Sequence, residues 1–121
     1  MQPINKADVQ EKLNQLVNQD VYIHLETTTG SYACLQGEKA VSVCAYIRNG
    51  KVNYQRGQIT GSGPYRVGLK MQDGWVYAEG LTDFEVMDGE KLLLAGHDDQ
   101  GQLGIALQIS PEPFKNDSGR E

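Results

Sequence analysis

A chain of 121 residues fits one domain with one core, and 39% hydrophobic against 22% charged residues is the balance of a folded protein rather than a disordered one. Acidic residues outnumber basic ones 16 to 11, and the net charge of −5 argues against nucleic acid or an anionic membrane as partner. The N-terminal MQPINKADVQ has no cationic stretch leading into an apolar run, and no segment is long enough to span a bilayer. The expected location is therefore the cytoplasm, with Cys34 and Cys44 reduced.

In chain order, the first element is a helix over about residues 5–18. Val9, Leu13, Leu16 and Val17 recur at the spacing of one apolar helix stripe. Asn5 suits the N-cap, where its side chain can accept from an orphan backbone N–H, and the Asp8 carboxylate favours the positive end of the helix dipole.

After Asp20 the period changes from helical to alternating. Val21, Ile23 and Leu25 alternate with Tyr22, His24 and Glu26, and Val41, Val43, Ala45 and Ile47 alternate with Ser42, Cys44, Tyr46 and Arg48. The same pattern recurs at Tyr65, Val67, Leu69 and Met71, and again at Leu103, Ile105, Leu107 and Ile109. Asn49-Gly50, Asp73-Gly74 and Asp88-Gly89 read as tight hairpin turns, while GSGP at 61–64 and HDDQG at 97–101 read as looser ones.

The expected fold is mainly β: a small antiparallel barrel or strongly bent sandwich of about eight or nine strands with one N-terminal helix. Residues 1–110 form the domain, and 111–121 form a polar tail in which Phe114 is the residue able to dock.

The strings VYIHLETTTGSY, AYIRNGKV, GPYRVGLK, GWVYAEGL and LQIS resemble the YojF-like family of Bacillus and its relatives, and the resemblance runs over most of the chain. That family is a domain of unknown function and offers no catalytic residues to carry over. Some members lie beside a sugar N-deacetylase associated with the low-molecular-weight thiol bacillithiol. The resemblance thus implies a role near thiol metabolism, with that deacetylase as a partner.

Candidate sites follow from side-chain direction. His24 and Glu26, two apart on a strand, leave the same face, and an imidazole beside a carboxylate is a ligand or general-base arrangement. A metal would need a third ligand, and His97 in the HDDQG turn is the available supply, with Asp98 or Asp99 beside it. The cupin arrangement of two histidines one residue apart with a spaced glutamate is absent, as is a GxSxG elbow. Cys34 and Cys44, ten residues apart, match no zinc or redox spacing and read as small core residues. The run Thr27 to Gly30 reads as edge structure.

A second constellation comes from the hairpin. With Asp73-Gly74 as a two-residue turn, Gln72 faces Trp75, Lys70 faces Tyr77 and Gly68 faces Glu79. Arg66, Lys70, Trp75, Tyr77 and Glu79 then share one face, a mix of cations, large aromatics and a carboxylate of the kind that binding surfaces use. Gly68 between the cations leaves room for close approach, and Tyr22, His24 and Glu26 would extend the patch if the strands are neighbours.

The reading is a non-enzymatic cytoplasmic binding or accessory module, homodimeric through this face and needing no cofactor. The alternative is a small enzyme with a divalent metal at His24, Glu26 and His97.

Overall fold

The computed structural model describes residues 1–27 and 45–115. Cys34, Cys44, Thr28 to Gly30 and the strand start at Val41 lie outside the described residues.

Among the described residues, nine strands and one helix succeed one another as β1 (Gln2–Pro3), α1 (Lys6–Gln15), β2 (Val21–Thr27), β3 (Ala45–Val52), β4 (Tyr54–Thr60), β5 (Tyr65–Met71), β6 (Trp75–Leu81), β7 (Asp83–Met87), β8 (Lys91–His97) and β9 (Leu103–Ser110). They form two antiparallel sheets: one of six strands in the order β1-β7-β8-β9-β2-β3, and one of three in the order β4-β5-β6. The sheets do not merge into a closed barrel among the described residues, so the bent sandwich is the form realised. Between them lies one core, in which Val9 and Leu13 of the helix meet Tyr54, Val67, Leu69, Leu92, Leu94, Leu107 and Ile109, all fully buried.

The helix is shorter than its apolar stripe. Asn5 caps it as expected, its Oδ1 accepting from the Asp8 N–H at 3.1 Å. At the other end Leu16 N donates to Leu13 O at 3.2 Å, a tightened last turn, and Asn18 then takes a φ of 60°. That left-handed residue stops the helix before residue 18, while Leu16 still reaches the core.

Strand β4 is an edge of the small sheet, and α1 covers it. Gln10 Nε2 donates to Gly57 O at 2.8 Å, and Gln10 Oε1 accepts from Ile59 N–H at 3.1 Å. One primary amide thus satisfies a donor and an acceptor two residues apart, as a neighbouring strand would. Lys6 Nζ to Gly61 O (2.8 Å) and Asn18 N to Tyr54 O (2.8 Å) extend the cover to both ends. From inside, the Tyr54 hydroxyl donates to Leu13 O at 2.7 Å, and burial raises its phenol well above the usual tyrosine range.

Two turn expectations need correction. Asn49-Gly50 is not a hairpin turn. It lies inside β3, where Ile23 pairs with Gly50 and His24 with Arg48, leaving Asn49 as the extra residue of a bulge at a φ of 58°. Asparagine tolerates left-handed backbone in a bulge as well as in a turn, so the dipeptide is ambiguous between them. The chain instead changes sheets at the single residue Asn53. At Asp73-Gly74 the turn is one residue earlier: Met71 N donates to Gly74 O at 2.8 Å, which makes Gln72 and Asp73 the central pair. Lys70 therefore faces Trp75, Gly68 faces Tyr77 and Arg66 faces Glu79. Every partner shifts by two, which conserves the faces. Asp88 and Gly89 do turn with positive φ, 56° and 71°, as expected.

Replacing Gln10 by Ala strips β4 of its cover and leaves Gly57 O and Ile59 N–H half-buried without partners. Urea unfolding of Gln10→Ala is expected to show a loss of about 1–3 kcal/mol. A change inside the ordinary scatter of about 0.5 kcal/mol for surface substitutions would show that water replaces the amide without cost.

Candidate functional site

The three-stranded sheet buries one face and presents the other. Gly57, Ile59, Val67, Leu69 and Ala78 turn inward, so alternation puts Arg56, Gln58 and Thr60 of β4, Arg66, Gly68 and Lys70 of β5, and Trp75, Tyr77 and Glu79 of β6 on the outer side. Pairing arranges them in three rows: Arg56–Lys70–Trp75, Gln58–Gly68–Tyr77 and Thr60–Arg66–Glu79. All five residues of the sequence-derived patch are thus brought together.

Their contacts are specific. The Trp75 and Tyr77 rings lie parallel within 3° with centroids 5.6 Å apart, and each remains more than half exposed, at 54% and 55%. Lys70 Nζ sits 5.5 Å from the centre of the Trp75 ring, and the Arg66 guanidinium 5.7 Å from that of Tyr77. Arg66 also pairs with Glu79 at 3.2 Å, and Arg56 Nη2 donates to Gln58 Oε1 at 2.6 Å. Gly68 is not left open for a ligand. A Cβ there would lie 2.8 Å from Tyr77 Cε1, so the missing side chain is what lets the Tyr77 ring lie down on β5.

A recess of about 210 Å³ opens on this face, lined by Arg56, Gln58, Thr60, Arg66, Gly68, Trp75 and Tyr77. The β4 contribution was missed in the sequence, although the alternation in YQRGQIT and the pairing of Thr60 with Arg66 across the GSGP loop carried the signal.

His24 and Glu26 do not extend the patch, because β2 belongs to the other sheet. They do share a face, with His24 Nε2 3.1 Å from Glu26 Oε1, but His24 is only 6% exposed. Tyr46 meets it edge-on at 5.2 Å, and Arg48 Nη1 approaches its Nδ1 at 3.3 Å. A guanidinium can only donate, so Nδ1 is the acceptor and Nε2–H donates to Glu26. Both ring nitrogens are thereby used. Arg48 in turn donates to Lys115 O at 2.8 Å and stacks on Phe114 at 4.9 Å. The bulge aims Asn49 at the same segment, which it holds through Phe114 N (2.7 Å) and O (2.9 Å). The docking of Phe114 was expected; the role of Arg48 and Asn49 was not legible, because it depends on the bulge.

His97 does not join His24 and Glu26. On β9, His24 pairs with Gln108 and His97 with Leu103, which separates them by about 16 Å along the strand at the usual rise. His97 Nδ1 instead meets Asp83 Oδ1 at 3.1 Å, and Asp83 also accepts from the Thr82 hydroxyl at 2.6 Å. Among the described residues, no three His, Cys, Asp or Glu side chains are placed to hold a metal ion. Asp98 is occupied within its own turn, accepting from the N–H groups of Gln100 and Gln102, both at 2.9 Å.

The Thr82 hydrogen bond, with His97 second, lowers the Asp83 pKa below the usual carboxylate value. The resulting stability is present above the unfolded-state pKa and disappears as pH falls through the lower folded-state one. Asp83→Asn is expected to flatten the fall in urea midpoint between about pH 5 and about pH 2. Parallel acid profiles for wild type and variant would contradict the assignment.

A sequence profile described as a protein of unknown function, DUF1806, matches residues 3–114. The uncharacterized protein YojF of Bacillus subtilis (strain 168) is 55% identical over 114 residues, covering 94% of this chain and 98% of its own. The crystal structure of Bacillus subtilis YojF superposes with a TM-score of 0.78 at 50% identity, over 95% of this chain and 97% of that one. No helix among the described residues is long and apolar enough to cross a membrane. The resemblance seen in the sequence is thereby established, and the chain belongs to the DUF1806 family of YojF-like proteins.

Proposed function

We propose that the protein is a binding or accessory module that works through the outer face of β4, β5 and β6 and carries out no chemistry of its own. The observation that carries this reading is the Trp75–Tyr77 pair, held parallel and half exposed with a cation over each ring. Exposed aromatics framed by arginine and lysine are the groups that contribute most to recognition, because they supply large contact area with few rotors to immobilise. Both histidines, by contrast, are tied to neighbouring side chains: His24 through both nitrogens and His97 through Nδ1.

The setting implied by the family resemblance makes the sugar N-deacetylase of bacillithiol metabolism the first protein partner to try. A second copy of the chain is the other assembly the sequence suggests. Both belong to a cytoplasmic module.

Native mass spectrometry of untagged protein from its own cells tests the reading, with the Trp75→Ala/Tyr77→Ala double variant alongside. A bound species, whether small molecule, deacetylase or second copy, is expected on wild type and lost from the variant. The variant's stability should stay within about 1 kcal/mol, since neither ring is in the core. A bare monomer in both, or a bound species that the double substitution leaves in place, would overturn the proposal.

A further inference from the structure

We infer that the recess on this face binds a free mononucleotide, a planar heteroaromatic base carrying a phosphate monoester. This rests on reading the face as the recognition surface and names what it takes.

The recess has the parts such a ligand needs. Its aromatic side is the parallel Trp75–Tyr77 pair, over which Arg66 and Lys70 already lie, so a flat ring joins the stack by displacing one of these two exposed side chains. Opposite, on β4, stand the Gln58 amide, whose Oε1 accepts from Arg56 and whose Nε2 can donate to the polar edge of a base, and the Thr60 hydroxyl, which can donate or accept there. Arg56 and Arg66 stand in the two rows that flank the central Gln58–Gly68–Tyr77 row. A guanidinium offers paired N–H donors that match phosphate oxygens.

Charge points the same way. The chain is net −5, yet Arg56, Arg66 and Lys70 stand on this face against the single carboxylate of Glu79. Glu79 is taken by Arg66, and among the described residues neither Arg56 nor Lys70 has a carboxylate partner. The unbalanced positive charge matches a phosphate monoester, whose charge is about −1.5 to −2 at neutral pH.

Size and field select among anionic aromatic occupants. At about 210 Å³ the recess is smaller than the roughly 300–1,000 Å³ of enclosing ligand pockets, so it takes the base and leaves the ribose and phosphate at its open rim. A single strand of nucleic acid would have to extend its phosphates over the acidic remainder of the surface. A second copy seated face to face would set Arg56, Arg66 and Lys70 against their own equivalents, a like-charge contact.

Trp75 is the chain's one tryptophan, so its fluorescence reports this site without a label. The experiment titrates the protein with AMP, GMP, CMP and UMP, correcting for inner-filter absorption with free tryptophan. Adenosine, inorganic phosphate and an eight-residue adenine oligonucleotide serve as comparison probes. At least one monophosphate is expected to quench saturably. Removing its phosphate, or introducing Arg66→Ala or Arg56→Ala, should weaken binding about tenfold. Lys51→Ala, on the other sheet beside Asp20, should leave it unchanged.

Several results would overturn the inference: no saturable quenching at millimolar monophosphate, equal quenching by adenosine, or indifference to both arginines. Tighter binding of the oligonucleotide than of every monophosphate would replace the free nucleotide by a strand. If nucleotides fail while a bound species in native mass spectrometry still depends on Trp75 and Tyr77, the ligand class is wrong and the face stands. If both fail, so does the reading of the face.

Discussion

One glutamine side chain holds the arrangement in register. Gln10 reaches from α1 to the open edge of β4 and meets Gly57 O and Ile59 N–H, the two groups a further strand would have met. Through that contact the helix is fixed along the small sheet, Leu13 and Val9 are seated on its inner side, and the edge is closed to other chains. With the inner face committed to the core, the pleat leaves no choice about the outer one. Arg56, Gln58 and Thr60 must stand beside Arg66, Gly68 and Lys70, and these beside Trp75, Tyr77 and Glu79. The platform is a consequence of how the opposite face is buried.

The molecule therefore separates two kinds of polar chemistry. On the large sheet, imidazoles are locked: His24 between Glu26 and Arg48, and His97 against Asp83. These groups tie strands and the Phe114 segment together, the His24 network from a buried position that rigidifies the fold and the His97–Asp83 pair from a part-exposed one. On the small sheet Arg66 and Lys70 lie over rings, and of these two only Arg66 is also paired with a carboxylate, that of Glu79. An acidic protein that keeps a positive aromatic platform has arranged its charge locally against its own net sign. That contrast is the ground for proposing recognition here beyond ordinary cross-strand pairing, which by itself would stabilise the sheet by only a fraction of a kcal/mol per pair.

Much of this was legible in the sequence, and the failures have physical causes. The helix stripe and the rows through Val21 and Ile23, Val67 and Leu69, and Leu107 and Ile109 identified core residues and the fold class, whereas Ala45, Ile47 and Leu103, read as inward by the same alternation, are exposed. The Arg66–Glu79 face survived a turn misplaced by one residue, because moving a two-residue turn shifts each pairing by two and parity decides the face. Asn49-Gly50 misled because left-handed asparagine serves a bulge as readily as a turn, and only the pairing of β2 with β3 distinguishes them. His24 and Glu26 were rightly placed on one face, yet alternation does not reveal that Tyr46, Arg48 and a segment 90 residues downstream crowd around that face. His97 could be joined to them only by ignoring strand order, which sequence periodicity does not contain.

Trp75 stands exposed beside three cations on a protein of net negative charge. Collisional quenching of its fluorescence by iodide and by caesium, at matched ionic strength, reads both properties at once. Iodide is expected to quench more efficiently than caesium, against the −5 net charge, because Arg56, Arg66 and Lys70 concentrate anions at the ring. Preferential quenching by caesium, or resistance to both ions, would contradict the account.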